Sequence, residues 1–131
     1  MVGDPIGDFI NRLTTAQMAR KESVSLPFSN LKFAVAEVLK NEGFVATVEK
    51  KGKKVKKLLE VTLIYQDGGK PQITGAERIS RPSRRLYMRA SEIRPVKNGY
   101  GMLVLSTPSG ILSGGEAKKQ NVGGEPLFKI W

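Results

Sequence analysis

Ser106, Thr107 and Ser109 bring three hydroxyls together in a stretch, residues 101–118, that reads Gly-Met-Leu-Val-Leu-Ser-Thr-Pro-Ser-Gly-Ile-Leu-Ser-Gly-Gly-Glu-Ala-Lys. The apolar run at 102–105 and its resumption at Ile111 and Leu112 predict two short strands, with turn chemistry at 106–110 between them. Ser113 followed by Glu116 fits a capping box that opens a helix, although Gly114 and Gly115 cost its first turn about 1 kcal/mol each relative to alanine. Hydroxyls, the Gly110 backbone and a helix N-terminus gathered this closely can hold phosphate and sugar oxygens. Alone, the segment reads more simply as a hydroxyl-rich hairpin turn. Its surroundings decide between the two.

Those surroundings are basic. The 131 residues carry 22 Lys+Arg against 12 Asp+Glu, a net charge of +10, which favours a polyanionic partner, nucleic acid ahead of an anionic membrane. Up to Asp67 there are 11 cationic residues against 8 anionic, and beyond it 11 against 4, so the second part holds the stronger field. Six of the eight arginines fall within 78–94, interleaved with Tyr87, and six of the fourteen lysines fall within 50–57. Arginine's planar fork suits phosphate and base contacts, whereas lysine acts as a mobile point charge. Glu125, in a glycine-flanked segment, reads either as a surface acid or as a group that orients hydroxyls and accepts from a base amino group.

The chemistry left to an enzyme is small. With no cysteine and no histidine, the chain has no thiolate nucleophile, no imidazole base and no common zinc ligand set. Neither a phosphate-loop nor a dinucleotide signature is present. No cofactor or small-molecule substrate is expected. The acidic N-terminus and the lack of an apolar run of roughly 18 residues lead to the expectation of a cytosolic protein without a membrane span.

The elements that must position these residues follow from periodicity. Asp4 and Pro5 start a helix with Ile6, Phe9, Ile10 and Leu13 on one face, fading near Arg20. Residues 23–26 form a short strand, and Ser29 or Asn30 caps a second helix whose buried stripe is Leu31, Ala34, Val35, Val38 and Leu39, stopped by Gly43. Residues 44–49 and 58–65 pair as an antiparallel hairpin across a tip of Lys50, Lys51, Gly52, Lys53 and Lys54, which is either a solvated turn or a partner contact. Asp67, Gly68, Gly69, Lys70 and Pro71 mark a break. Strands are then expected at 73–80 and 85–89, the latter with Arg85, Tyr87 and Arg89 on one face and Leu86 and Met88 on the other. A helical turn near Ser91, a turn at 98–101, the hairpin, a helix ending near Asn121 and a terminal strand at 127–131 complete the chain. The fold class is α+β, divided into residues 1–67, a helix-strand-helix-hairpin subdomain, and residues 68–131, a mainly β subdomain.

In order and at matching spacing, Gly101-x-x-Val-Leu-Ser-Thr-x-x-Gly-Ile-Leu-x-x-x-x-Ala-Lys resembles the signature of the family of the eighth protein of the small ribosomal subunit, bacterial type. Asp4-Pro5-Ile6 with Asp8, Leu31-Lys32, Val38-Leu39-Lys40-x-x-Gly43-Phe44, Arg78-Ile79-Ser80-Arg81-Pro82 and Gly123-Gly124-Glu125 extend the resemblance over essentially the whole chain. The resemblance implies two small α/β subdomains joined by a short linker, with mixed or antiparallel sheets and helices on one face. It implies direct binding to the central domain of 16S rRNA during subunit assembly, neighbours such as protein five, residence in the cytoplasmic ribosome, and repression of its own messenger RNA as a further role.

By the same resemblance, Ser106, Thr107, Ser109, Gly110 and Glu125 meet a distorted RNA helix at its minor groove. Arg81, Arg84 and Tyr87 contact phosphates and sugars, and Asn30 and Lys32 supply a second contact. Three departures bear on these roles. Pro108 stands where a serine is usual, Thr14-Thr15 where Arg-Asn is, and Ser113-Gly114-Gly115 replaces a Thr-Asp-Arg type of helix start, which predicts a later or looser helix. The rival readings are a basic RNA chaperone without site specificity and an enzyme with a deep pocket at the hydroxyl-rich loop.

Overall fold

The computed structural model describes residues 4–52 and 56–131, an α+β fold whose two sheets are both antiparallel. Residues 8–74 form one compact unit, and residues 75–131 with 4–7 form the other, so the division falls between Thr74 and Gly75.

The first unit contains most of helix α1 (Pro5–Met18), strand β1 (Ser23–Pro27), helix α2 (Asn30–Asn41) and strands β2 (Val45–Lys51) and β3 (Leu58–Leu63). β3 is central, pairing with β1 on one side and β2 on the other. Its Leu59, Val61 and Leu63 alternate into the core with Phe9, Leu13, Leu26, Val35 and Leu39. Each such side chain contributes about 1.5–3 kcal/mol of transfer free energy. Ser29 rather than Asn30 caps α2, accepting the Lys32 backbone N–H at 3.1 Å. The buried stripe of α2 is Val35, Ala36 and Leu39; of the others expected in it, Leu31, in the helix's first turn, is 44% exposed, and Ala34 and Val38 are half-buried. Gly43, at φ +83°, ends the helix as expected.

Residues 64–73 are tied down by a residue that apolar periodicity passes over. Gln17 is 1% exposed; its amide donates to Ile64 O at 2.9 Å and accepts from Ile73 N at 3.4 Å. The Arg20 guanidinium reaches Gly69 O, and Tyr65 Oη donates to Lys21 O at 2.6 Å. Asp67 and its neighbours therefore form a closed turn, with Gln66 N donating to Lys70 O at 2.8 Å.

The second unit has a four-stranded sheet in the order β4-β7-β5-β6: β4 (Ala76–Arg78), β5 (Met102–Thr107), β6 (Gly110–Ser113) and β7 (Glu125–Ile130). The strand expected over 73–80 shrinks to three residues, because beyond Arg78 the chain follows β7 only through the N–H groups of Ile79 and Ser80. Val104 and Phe128, opposite one another in β5 and β7, are fully buried. A second cluster joins Ile93, Val96, Leu103, Leu105 and Ala117, with Ala117 supplied by helix α3 (Gly114–Lys119).

That helix starts directly after Ser113, where the serine–glutamate spacing places its cap, and not later as the departure from the family's helix start suggested. Ser113 Oγ accepts from Glu116 N at 3.2 Å, but the reciprocal half of the capping box is absent, since the Glu116 carboxylate takes the Gln120 amide instead at 3.0 Å. Gly114 is there for space: a Cβ would lie 3.2 Å from Leu103 Cβ and 3.3 Å from Ile93 Cγ2.

At the start of α1, Asp4 accepts the Gly7 N–H at 3.1 Å and pairs with Arg78 at 2.8 Å. The Arg78 guanidinium, and secondarily the Gly7 N–H, hold the Asp4 carboxyl below its ordinary 3.8 against the opposing effect of burial. A depressed folded-state value means the stabilisation is complete above about 3.8 and is lost as pH falls through the folded value. Thermal unfolding followed by circular dichroism is expected to place Asp4→Asn below wild type at neutral pH. The gap should narrow as the pH falls below about 3.8 and through the carboxyl's lowered folded-state value.

Candidate nucleic-acid interface

The hairpin of β5 and β6 pairs Ser106 with Ile111 and Thr107 with Gly110, leaving Pro108 and Ser109 as the loop. Proline fixes φ near −65° at the first loop position, which excludes the primed turns that two-residue hairpins favour. The positive φ is moved to Gly110, at +111°, while Ser109 stays out of the left-handed region. The Thr107 hydroxyl holds this turn, donating to Gly110 O at 2.7 Å and accepting from Ser109 N at 3.1 Å. Thr107 is thus spent on shaping the loop. The hydroxyls of Ser106 and Ser109 have no hydrogen-bond partner among the described residues, and residues 108–110 are exposed.

On its other edge β5 meets β7, with Ser106 opposite Glu125. Glu125 is no plain surface acid. Its side chain is 14% exposed, Oε2 accepts from Ser80 Oγ at 2.6 Å, and Oε1 faces Arg85 Nη1 at 3.3 Å. Before it, Gly124 packs so closely on β5 that a Cβ would lie 2.1 Å from Ser106 O. Gly124 also exchanges two backbone bonds with Met88, at 2.9 and 3.0 Å. Residues 84–88 are thereby laid beside the hydroxyl-rich loop.

These residues do not form the strand expected at 85–89. Apart from isolated bridges at Arg84 and Met88 they have no neighbouring strand among the described residues, and Leu86 N donates to Ser80 Oγ at 3.0 Å instead of to a ladder carbonyl. With no sheet to bury against, Leu86 is 37% exposed and Tyr87 72%. Arg81 and Arg84 close a tight turn around Pro82 and Ser83, each donating its N–H to the other's carbonyl at 3.1 and 3.0 Å, with both side chains exposed.

The arginines of 78–94 consequently divide. Arg78 is internal, its guanidinium shared between Asp4 and the Leu127 carbonyl. Arg94 folds back onto Ser91 O at 2.7 Å. Arg81, Arg84, Arg85 and Arg89 remain exposed on the segment beside the loop. In the first unit, Asn30 is exposed and Lys32 half-buried at the start of α2. Lys50 and Lys51 lie within β2, not at its tip: Lys50 Nζ stands 4.7 Å over the Phe28 ring and Lys51 pairs with Glu60 at 2.9 Å. Lys53 and Lys54, the rest of the expected tip, lie outside the described residues.

Ser80 and Gly124 are the residues that sequence reasoning missed as parts of the site. A serine two residues past an arginine strand has no periodic signature, and Gly124 passes for ordinary turn chemistry until its neighbour is known. If Thr107 shapes the loop, Thr107→Val is expected to cost about 1 kcal/mol of stability and to speed amide exchange at Ser109, whereas Thr107→Ser leaves both near wild type. Exchange monitored by NMR checks this.

Comparison with known proteins shows the family. The family model described as Ribosomal protein S8 matches residues 4–131. The protein named small ribosomal subunit protein uS8 from Dehalococcoides mccartyi is 42% identical over 131 residues, covering all of both chains. Its namesake from Chloroflexus aurantiacus is 44% identical over 132 residues, covering 99% of this chain and 98% of the relative. That from Staphylococcus carnosus is 42% identical over 130 residues, with the same coverage. The chain belongs to the ribosomal protein S8 family, whose members are non-enzymatic structural proteins of the small ribosomal subunit.

Proposed function

We propose that the protein binds the central domain of 16S rRNA directly and helps to fold it as the small subunit assembles in the cytoplasm. Residues 68–131, taken as an RNA-binding subdomain, carry the principal contact. The observation that supports this most is the pair of unshared hydroxyls, Ser106 and Ser109, on an exposed hairpin turn flanked by free arginines. A-form RNA hides its base edges in a deep major groove, so proteins meet it by shape, 2′-hydroxyls and irregularities across the shallow minor groove. Small hydroxyls on a tight turn reach such a surface without steric cost.

In this reading Ser106, Ser109 and the backbone of Gly110 meet sugars and base edges, and Thr107 keeps them in place. Glu125 accepts from a base amino group or a 2′-hydroxyl. Arg81, Arg84 and Tyr87 take phosphates and sugars, while Asn30 and Lys32 form a second contact from the first unit. Arginine contacts release counterions and add affinity with little sequence information. A copy of the rRNA site in its own messenger RNA would make the protein a repressor of that message, and its partners in the subunit would include neighbours such as protein five.

Binding of wild type, Ser109→Ala and Arg84→Ala to a central-domain fragment and to a length-matched regular duplex separates the two kinds of contact. Ser109→Ala is expected to weaken the fragment complex about tenfold and leave the duplex unaffected, as loss of one specific hydrogen bond would. Arg84→Ala should weaken both and lower the salt slope by about one. Equal weakening of both RNAs by Ser109→Ala would point to a basic chaperone without site specificity.

A further inference from the structure

Ser80 is 0% exposed, yet its hydroxyl is fully employed, giving its proton to Glu125 Oε2 at 2.6 Å and accepting the Leu86 N–H at 3.0 Å. Both partners border the hydroxyl-rich loop. Glu125 stands opposite Ser106 in the sheet, and Leu86 lies between Arg85 and Tyr87. Ser80 is itself fixed, since its backbone N–H donates to Pro126 O at 3.0 Å, next to Glu125 on β7. From this we infer that Ser80 is a positioning residue for RNA discrimination: it sets which carboxylate oxygen Glu125 presents outward and holds the Arg84–Tyr87 segment, residues 84–87, against the loop.

The inference rests on the proposed rRNA site and adds a residue that cannot itself touch RNA. Direction carries the argument. A hydroxyl has one proton, and here it goes to Oε2, so the same oxygen must accept from Leu86. Oε2 is thereby occupied from within, and Oε1, which accepts from the exposed Arg85 at 3.3 Å, keeps its second lone pair for a donor from RNA. Without the hydroxyl, the carboxylate is free to turn about its terminal torsion, which has broad rotamer wells. Leu86 N also loses its partner, in a segment whose other ties are the Arg81–Arg84 turn, the Arg85–Glu125 contact and the Met88 bridge.

The test measures binding of the full chain to the central-domain fragment and to the regular duplex for Ser80→Ala, Glu125→Ala and the double variant. Ser80→Cys repeats the first substitution without opening a cavity, because a thiol fills the space but hydrogen-bonds weakly. Ser80→Ala and Ser80→Cys are expected to lose about tenfold in affinity for the fragment while duplex binding and its salt slope hold. The double variant should lose less than the product of the single losses, because both substitutions break one linkage. Unchanged discrimination in both Ser80 variants would overturn the inference. So would equal weakening of both RNAs, which marks a general loss of fold, or losses that multiply. A wild type with no preference for the fragment would remove the rRNA reading itself, whereas a wild type that discriminates alongside Ser80 variants that do so equally well removes only the role of Ser80.

Discussion

No side chain fits at position 124, and the second unit's surface depends on that. With a Cβ there, the strand could not lie against the Ser106 carbonyl, where the hypothetical atom would sit at 2.1 Å. The close approach puts Glu125 opposite Ser106 and lets the same glycine bond Met88 on its other side. One backbone thus bridges two otherwise separate things, a hairpin tip with free hydroxyls and an irregular segment with free arginines. Glycine's entropic cost on folding is the expense of this arrangement.

The cations divide into two populations that composition cannot separate. Arg78, paired with Asp4 and the Leu127 carbonyl, belongs to the fold, and so does Arg20 at Gly69 O. Arg81, Arg84 and Arg89 make no side-chain hydrogen bond among the described residues. Exposed pairs such as Lys51 with Glu60 contribute little to stability and leave the surface charge only partly neutralised. What bears on function is where the unneutralised charge lies. On the second unit, part of it flanks a hairpin turn whose sequence offers hydroxyls rather than lysines.

Sequence legibility followed the range of the interactions. The caps of α1 and α2, the Gly43 stop, the β2–β3 pairing and the β5–β6 hairpin are local or strongly periodic, and they were readable. Leu31 and the run at 85–89 misled because alternation and helical spacing show what could be buried, not whether anything arrives to bury it. Gln17 and Ser80 were invisible for the opposite reason. Each is a buried polar residue whose partners no local pattern reveals: Ile64 and Ile73 for one, and for the other Glu125, far along the chain, and Leu86 in an irregular segment six residues on. At the candidate site the residue types were legible; that Thr107 shapes the loop while Ser106 and Ser109 remain free required the geometry.

In the proposed function the loop reads RNA while the arginines supply affinity. Counterion release weakens as salt rises, but contacts by uncharged hydroxyls do not, so the two contributions separate along one axis. The most direct measurement is the ratio of wild-type affinities for the rRNA central-domain fragment and for a length-matched regular duplex, followed from about 50 to 500 mM salt. Both affinities are expected to fall while the ratio stays well above one. A ratio that sinks to one as the charges are screened would contradict the proposed function, because the preference would then be electrostatic alone.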